Sequence, residues 1–182
     1  MLIPIPLPLI VGSAIHPYLN AGKVHNKGLE VDLNYKNNDH LLNYDVGINF
    51  STLANKVISL SNGQPIAGGR IDNNYNATLT TVGHPIGSFY LYQQDGIFQN
   101  AADIFASAYQ GKNIQPGDVR FKDQNGDGVI DEKDRTFLGS AIPKYVFGAT
   151  ANLEYKNFDL SVFFQGQYGN KIYSQVNMDI EG

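Results

Sequence analysis

Strict alternation of apolar and polar residues along several segments is the feature that most constrains the fold of this 182-residue chain. In residues 29–36, four apolar side chains alternate with four charged or amide side chains. Successive side chains of a β-strand point to opposite faces, so this period of two predicts a strand with one apolar face. Residues 42–51 repeat the pattern after a cluster of turn-forming residues at 37–40. The two segments together predict an antiparallel hairpin.

A second hairpin of the same design is predicted near the other end of the chain. Residues 145–155 alternate in the same way, Lys156 and Asn157 form a turn, and residues 158–168 return, with Phe163 as an apolar exception on the polar side. Each strand is about ten residues long, which is the length that crosses a bilayer when the strand is tilted. The fold class predicted is therefore all-β.

Alternation alone also fits a soluble antiparallel sheet with one face on a core and the other in water. Two features favour hairpins of a transmembrane β-barrel, of which this chain supplies an incomplete set. The strands exceed the usual five or six residues of soluble sheets, and aromatic residues lie near strand ends, where interfacial girdles occur: Tyr35, Tyr145, Tyr155, Phe158 and Tyr168. On this interpretation Val46, Ile48, Ala149 and Val162 face lipid.

The stretch between the hairpins, residues 61–143, is rich in Gly, Asn and Asp. Outer-membrane barrels place short turns on the periplasmic side and long loops outside the cell, so this stretch is expected to be an extracellular loop. The predicted organisation is a lead-in segment and strand at 1–27, a barrel hairpin at 28–60, the loop at 61–143, and a second hairpin with the start of the next loop at 144–182.

The long loop is predicted to be folded. Residues 85–92 have the composition of a strand. Residues 101–109 are predicted to form a short helix, with Asn100 as its N-cap and Gly111 at its C-terminal end. Tyr90, Tyr92 and Phe98 are candidate contacts for sugar rings, although aromatic residues of a folded loop also pack its core.

An acidic turn inside the loop follows the spacing of a calcium-binding loop. Oxygen ligands fall at positions one, three, five, seven, nine and twelve, and Gly128 takes position six, where a sharp turn is needed. The candidate metal ligands are Asp123, Asn125, Asp127, the carbonyl of Val129, Asp131 and Asp134. Asp134 stands where a bidentate Glu is usual, which weakens the expected site. The same residues also suit a turn without metal, in which amides neutralise the carboxylates.

Composition and residue spacing exclude several function classes. The formal net charge is −4 and Lys and Arg do not cluster, so no nucleic-acid partner is expected. The chain has no Cys, and its four His residues have no carboxylate or nucleophile at a recurring spacing. An enzyme is therefore not expected.

Several motifs follow one another along most of the chain. They are Gly-His-Pro-Ile-Gly-Ser-Phe-Tyr at 83–90 and Phe-Asp-Leu-Ser-Val-Phe-Phe-Gln-Gly at 158–166, together with segments 20–30, 95–99, 116–123, 134–135 and 143–145. In this order they resemble the later barrel region of SusC/RagA-type TonB-linked transporters, and the resemblance covers residues 17–173. It departs from the family pattern in having no signal peptide, TonB-contacting segment or plug, so it is expected to be an internal fragment.

The resemblance implies import of glycan or peptide oligomers across the outer membrane of a Gram-negative, Bacteroidota-like bacterium. It also implies a SusD-like surface lipoprotein and TonB as partners, and membrane lipid around the barrel. The chief alternative is a soluble β-rich, calcium-stabilised carbohydrate-binding module. A secreted β-hydrolase is a third interpretation, which would need paired carboxylates on neighbouring strands.

Overall fold

The computed structural model describes residues 2–4, 18–20, 22–38, 41–61, 63–72 and 75–174. Most of the lead-in segment, residues 39–40 of the first predicted turn and residues 175–182 lie outside the described residues. The described part forms the helix α1 (Ala101–Ala106), a 3-10 turn at Glu132–Asp134 and these strands: β1 (Leu2–Pro4), β2 (Tyr18–Asn20), β3 (Gly22–Lys27), β4 (Glu30–Asn37), β5 (Leu42–Thr52), β6 (Ala54–Leu60), β7 (Ile66–Asp72), β8 (Tyr75–Thr80), β9 (Ser88–Tyr92), β10 (Gln94–Ile97), β11 (Val119–Phe121), β12 (Arg135–Gly139), β13 (Tyr145–Tyr155) and β14 (Phe158–Tyr168).

The fold is all-β, as the alternation predicts. Both predicted hairpins are present, and they join into one four-stranded antiparallel sheet in the order β14-β13-β5-β4. The two inner strands pair over their full length, from Tyr145 opposite Thr52 to Tyr155 opposite Leu42. The long stretch between the hairpins is therefore inserted between two strands that are direct neighbours.

One face of this sheet is apolar and the other is polar. The register between neighbouring strands does not shift, so residues paired across the sheet share a face. A row on the polar face runs Asn34, Gly47, Thr150 and Phe163, which confirms that Phe163 lies among polar residues. The adjacent row on the apolar face holds Leu33, Ile48, Ala149 and Phe164.

A two-stranded ribbon of β3 and β6 continues the first hairpin beyond the four-stranded sheet. At the junction the Thr52 N–H donates to the Leu29 carbonyl at 2.8 Å, and the Leu29 N–H donates to the Thr52 hydroxyl at 3.0 Å. Val57 of β6 is fully buried, and its backbone exchanges two 2.9 Å hydrogen bonds with Gly83 and His84. The hairpin backbone therefore stays paired past the sheet.

The chain divides into two compact units. The first, here the hairpin unit, comprises Met1–Ile66, Thr80–Ile86 and Ser140–Gly182, and the second, here the inserted unit, comprises Ala67–Leu79 and Gly87–Gly139. Within the inserted unit β9 lies between β8 and β12, β7 lies on the outer side of β8, and β10 and β11 form a separate ribbon. The predicted strand at 85–92 begins only at Ser88.

The predicted helix is shorter than its sequence pattern. Asn100 is its N-cap, as predicted, since its side-chain oxygen accepts the Asp103 N–H at 3.0 Å. The helix ends at Ala106 and not at residue 109, and Gly111 is not its cap. The reason is that the Tyr109 backbone bonds to Gly128 and Ile130 instead of continuing the helix. Among the described residues, no helix has the length and apolar character needed to cross a membrane.

Two glycines of the first hairpin differ in what a side chain would meet. A Cβ atom on Gly28 would overlap the Thr52 carbonyl oxygen, which is fixed backbone. A Cβ atom on Gly47 would lie 2.6 Å from Asn34 Oδ1 and 2.8 Å from Thr150 Oγ1, which are side-chain tips that can rotate.

We expect Gly28→Ala to lower the free energy of unfolding by about 1–3 kcal/mol, and Gly47→Ala to lower it less. Urea unfolding of the two variants measures the difference, and equal losses would contradict the junction geometry.

Candidate functional site

The first half of the acidic turn is held by its own side chains. Asp123 accepts the Gly126 N–H at 2.6 Å and the Gly128 N–H at 2.8 Å, one on each carboxylate oxygen. Asn125 Oδ1 accepts the Asp127 N–H at 2.8 Å, and Asp127 Oδ1 accepts the Val129 N–H at 3.0 Å. These side chains bond to backbone a few residues ahead, as Asp and Asn do in turns.

The second half of the turn is organised by Asp134, whose side chain is completely buried. Asp134 Oδ1 accepts the Gln124 N–H at 2.9 Å and Oδ2 accepts the Asp131 N–H at 2.8 Å. Asp131 in turn caps the 3-10 turn by accepting the Lys133 N–H at 2.8 Å. Asp134 therefore connects the start of the acidic turn to its end.

Hydrogen bonding favours the ionised forms of Asp131 and Asp134. The N–H groups of Asp131, Gln124 and Asn125 hold the pKa of Asp134 below its ordinary value, although burial opposes the shift. The backbone and ammonium of Lys133 lower the pKa of Asp131, and that carboxylate raises the pKa of Lys133. The Lys133 ammonium lies 3.1 Å from Asp131 and 3.9 Å from Asp127. Amides and one lysine thus neutralise much of the negative charge.

The six predicted metal ligands lie in this one turn, where the carboxylates of Asp123 and Asp134 each accept two backbone N–H groups. Over the described part of the chain, however, no three His, Asp or Glu side chains stand close enough together to hold a metal ion. Gly126 and Gly128 both have positive φ, at 75° and 82°, which places the sharp turn where the spacing predicts it.

The three candidate ring contacts are packed separately. The Tyr90 ring lies 4.9 Å from that of Phe137 and carries the Arg135 guanidinium 5.0 Å above it. The Tyr92 ring lies 5.5 Å from that of Phe121. Phe98 is 1% exposed. All three take part in the packing of the inserted unit, and their contact with a ligand stays a prediction.

Two connections in the inserted unit were not predicted from the sequence. Tyr109 forms a parallel β-bridge with Val129, which fastens the chain after α1 to the acidic turn. Arg120 joins α1 to β10, since its guanidinium lies 3.0 Å from the Asp103 carboxylate and donates to the Asp95 carbonyl at 2.7 Å. Neither connection has a local sequence signal, because both depend on segments that are distant along the chain.

No protein-family model matches the chain. Among curated proteins, the chain is 30% identical to TonB-dependent receptor P3 of Formosa agariphila over 99% of its own length and 18% of that receptor. It is 32% identical to TonB-dependent receptor P26 of the same organism over 85% of the chain and 16% of the receptor. It is 28% identical to TonB-dependent receptor SusC of Bacteroides thetaiotaomicron over 85% of the chain and 15% of the receptor. The chain thus spans less than a fifth of the length of these relatives.

A solved structure shares the fold. The RagAB peptide importer in its closed-closed state matches 93% of this chain and 18% of its own chain, with a TM-score of 0.65 and 21% sequence identity. At that identity the likeness concerns the fold alone. The antiparallel sheets and the receptor relatives agree on one assignment. The chain belongs to the TonB-dependent receptors of the SusC/RagA type.

Proposed function

We propose that this chain contributes four neighbouring strands to the wall of an outer-membrane barrel that imports nutrient oligomers. The observation that carries the proposal is the apolar face of the sheet β14-β13-β5-β4. The side chains of this face are exposed in the hairpin unit: Leu33 is 63% exposed, Ile48 53% and Phe164 59%. A contiguous apolar face of this size is unusual on a soluble protein and suits contact with lipid.

Aromatic residues flank this apolar face at both ends. Tyr35 and Tyr44 lie together near one end, with ring centroids 5.7 Å apart, and Tyr145 lies between Phe50 and Tyr168 at the other. A strand as long as β13 extends about 33 Å, which at a tilt of about 40° gives a height near the ~25 Å of an outer-membrane apolar band. The aromatic ends match the interfacial girdles of such barrels.

The polar face is proposed to line the lumen. It carries amide, hydroxyl and carboxylate side chains in register, such as Asp32, which accepts a hydrogen bond from Asn34. Asn43 donates to Glu154 across β5 and β13 at 3.5 Å. Polar groups on this face can stay hydrated in a water-filled lumen, whereas in lipid each unpaired one would cost free energy.

Adjacent residues of β5 test the assignment of the two faces. Ile48 lies on the apolar face and Asn49 on the polar face. We expect Ile48→Arg to destabilise the membrane-inserted receptor by about 2–4 kcal/mol, and the matched control Asn49→Arg to cost much less. Urea unfolding in lipid vesicles gives both values. Equal costs would favour a soluble sheet without lipid contact.

The orientation is proposed to place the turn at Lys156-Asn157, and the turn before β5, on the periplasmic side, with the inserted unit outside the cell. Gly63 and Asn157 lie at opposite ends of the hairpin unit, because Gly63 follows β6 and Asn157 joins the other ends of β13 and β14.

Protease access measures this orientation. A cleavable tag inserted at Gly63 of the receptor should be cut on intact cells, and the same tag at Asn157 should be cut only after the outer membrane is opened. The reverse pattern would overturn the proposed topology. Retention of both tags in the cytoplasmic fraction would overturn the outer-membrane location.

Import, its substrates and its partners are proposed from the relatives. The family assignment supports a receptor of a Gram-negative, Bacteroidota-type bacterium that takes up glycan or peptide oligomers with energy from TonB and a SusD-like surface lipoprotein over the barrel. A transport role without catalysis also agrees with the scattered His residues of the sequence. If the receptor still imports its glycan or peptide oligomer in cells without TonB, this proposal is contradicted.

We also propose that the acidic turn binds calcium weakly. The ligand spacing supports binding, while the amides and Lys133 that already neutralise the turn limit the affinity to the order of 10⁻⁴ to 10⁻³ M, as in other extracellular modules. Filling the site would stabilise the inserted unit in proportion to the calcium concentration by mass action.

Limited proteolysis of the receptor in millimolar calcium and in chelator tests this site. Calcium should slow cleavage near the acidic turn, and Asp123→Ala should abolish the effect, while Asp159→Ala on β14 should not. Equal cleavage with and without calcium would show that the turn holds itself by hydrogen bonds alone.

The pH dependence of that cleavage has a defined sign. The pKa of Asp134 is lowered in the folded turn, so its contribution to stability is complete above the ordinary pKa of Asp, about 4. The contribution disappears as the pH falls from that value through the folded pKa, so cleavage in chelator should rise below about pH 4. In Asp134→Asn this rise should be smaller.

A further inference from the structure

An apolar cavity of about 530 Å³ lies beside α1 in the inserted unit. Its volume falls in the range of small-ligand pockets. Phe98 contributes to it and is itself almost fully buried. Phe105, also in the lining, is 89% exposed. The remaining apolar lining comes mainly from Ile104, Ala108, Tyr109, Ile114 and Pro116.

The wall of the cavity is fixed at both ends. Tyr109 is held by the Gly128 carbonyl and the Ile130 N–H, each at 2.8 Å. At the other end the Gly117 N–H donates to the Phe98 carbonyl at 2.8 Å. The segment between these anchors, residues 110–116, supplies five of the twelve lining residues, so the cavity is formed before any ligand arrives.

Lys112 is the one charged residue among the described residues that line the cavity. Among the described residues its ammonium takes part in no ion pair, whereas the other charged side chains near α1, Asp103 and Arg120, neutralise each other at 3.0 Å. An apolar cavity with one available cation suits a group that combines an apolar body with a negative charge.

An edge of strand β11 adjoins the cavity at Gln110, which is one of the residues that line the cavity. One edge of β11 pairs with β10, and the opposite edge presents the Val119 carbonyl and the Phe121 N–H. The Gln110 side-chain amide occupies both, donating to Val119 at 2.7 Å and accepting from Phe121 at 3.1 Å. A residue of a parallel partner strand would make this same pair of bonds.

We propose that the cavity and this edge bind an oligopeptide whose C-terminal residue is apolar. The apolar side chain fills the cavity, the terminal carboxylate lies near the Lys112 ammonium, and the peptide backbone bonds to Val119 and Phe121 in place of the Gln110 amide. Strand addition supplies affinity through main-chain bonds, while a pocket for a side chain supplies specificity. This site does not depend on import, and its test measures binding alone.

Fluorescence anisotropy of a labelled hexapeptide with the intact receptor in detergent tests the site. The peptide Gly-Ser-Gly-Ser-Gly-Leu with a free carboxylate should bind saturably. The same peptide with a C-terminal amide should bind about two- to fivefold more weakly, as expected for loss of one exposed ion pair. A peptide that ends in Asp instead of Leu should bind about tenfold more weakly or worse, since the apolar side chain that fills the cavity is lost. Methylation of the peptide-bond nitrogen next to the Leu should weaken binding to the same extent, since a backbone hydrogen bond to the β11 edge is lost.

Three variants separate the parts of the site, with thermal unfolding as the check on folding. Ala108→Trp fills the cavity and should abolish binding. Lys112→Gln should remove the preference for the acid over the amide, while the matched control Lys122→Gln, outside the lining, should keep it. Gln110→Ala should bind the peptide as tightly as the parent or more tightly, because the competing amide is gone.

Several outcomes would overturn the proposal. They are no saturable binding of the Leu peptide, equal binding of the acid and the amide, and equal binding of the N-methylated peptide. Loss of peptide binding in a Gln110→Ala variant that unfolds at the parent temperature would do the same, since the amide would then be part of the site and not a stand-in for the ligand.

Discussion

Every backbone N–H and C=O group of a strand inside hydrocarbon has to pair with a neighbouring strand, because lipid offers no other partner. Between β4, β5, β13 and β14, ladders that do not shift in register provide such partners, and among the described residues only the outer edges of β4 and β14 have no strand beside them. A shift of one residue would turn an entire strand over and move its polar side chains to the apolar face. The separation of the apolar face from the polar face therefore depends on the pairing of β5 with β13.

The inserted unit follows a different physical rule. Among its described residues only Ala77 and Phe98 are buried apolar side chains. Its order comes largely from side chains that bond to backbone, such as Asp134 in the acidic turn and Arg135, which donates to the carbonyls of Asn76 and Tyr90 at 2.7 Å each. Hydrogen bonds of this kind are specific in direction, so they fix loop geometry where a large apolar core is absent.

The sequence predicts the hairpins well because alternation is a local property of each strand. It also places Phe163 on the polar face and Asn100 at the helix start, for which the neighbouring residues are sufficient. It overestimates α1 because the competing partner of Tyr109 lies some twenty residues further along the chain. The position of the Gln110 amide on the edge of β11 is likewise not predicted, because its partners Val119 and Phe121 lie about ten residues further along the chain. For the acidic turn, the spacing predicts six candidate ligands, whose binding of a metal stays a prediction, and the burial of Asp134 has no signature in the sequence.

Direct pairing of β5 with β13 also bears on how the chain folds. Thr52 and Tyr145 are partners although more than ninety residues separate them, whereas β13 and β14 meet across a two-residue turn. Local hairpins form early because little chain entropy is lost in closing a short loop. The join between the hairpins has to wait until the intervening chain has become compact, because contacts distant in sequence form slowly. A compact inserted unit shortens the effective loop between β5 and β13 and therefore lowers the entropic cost of pairing these two strands.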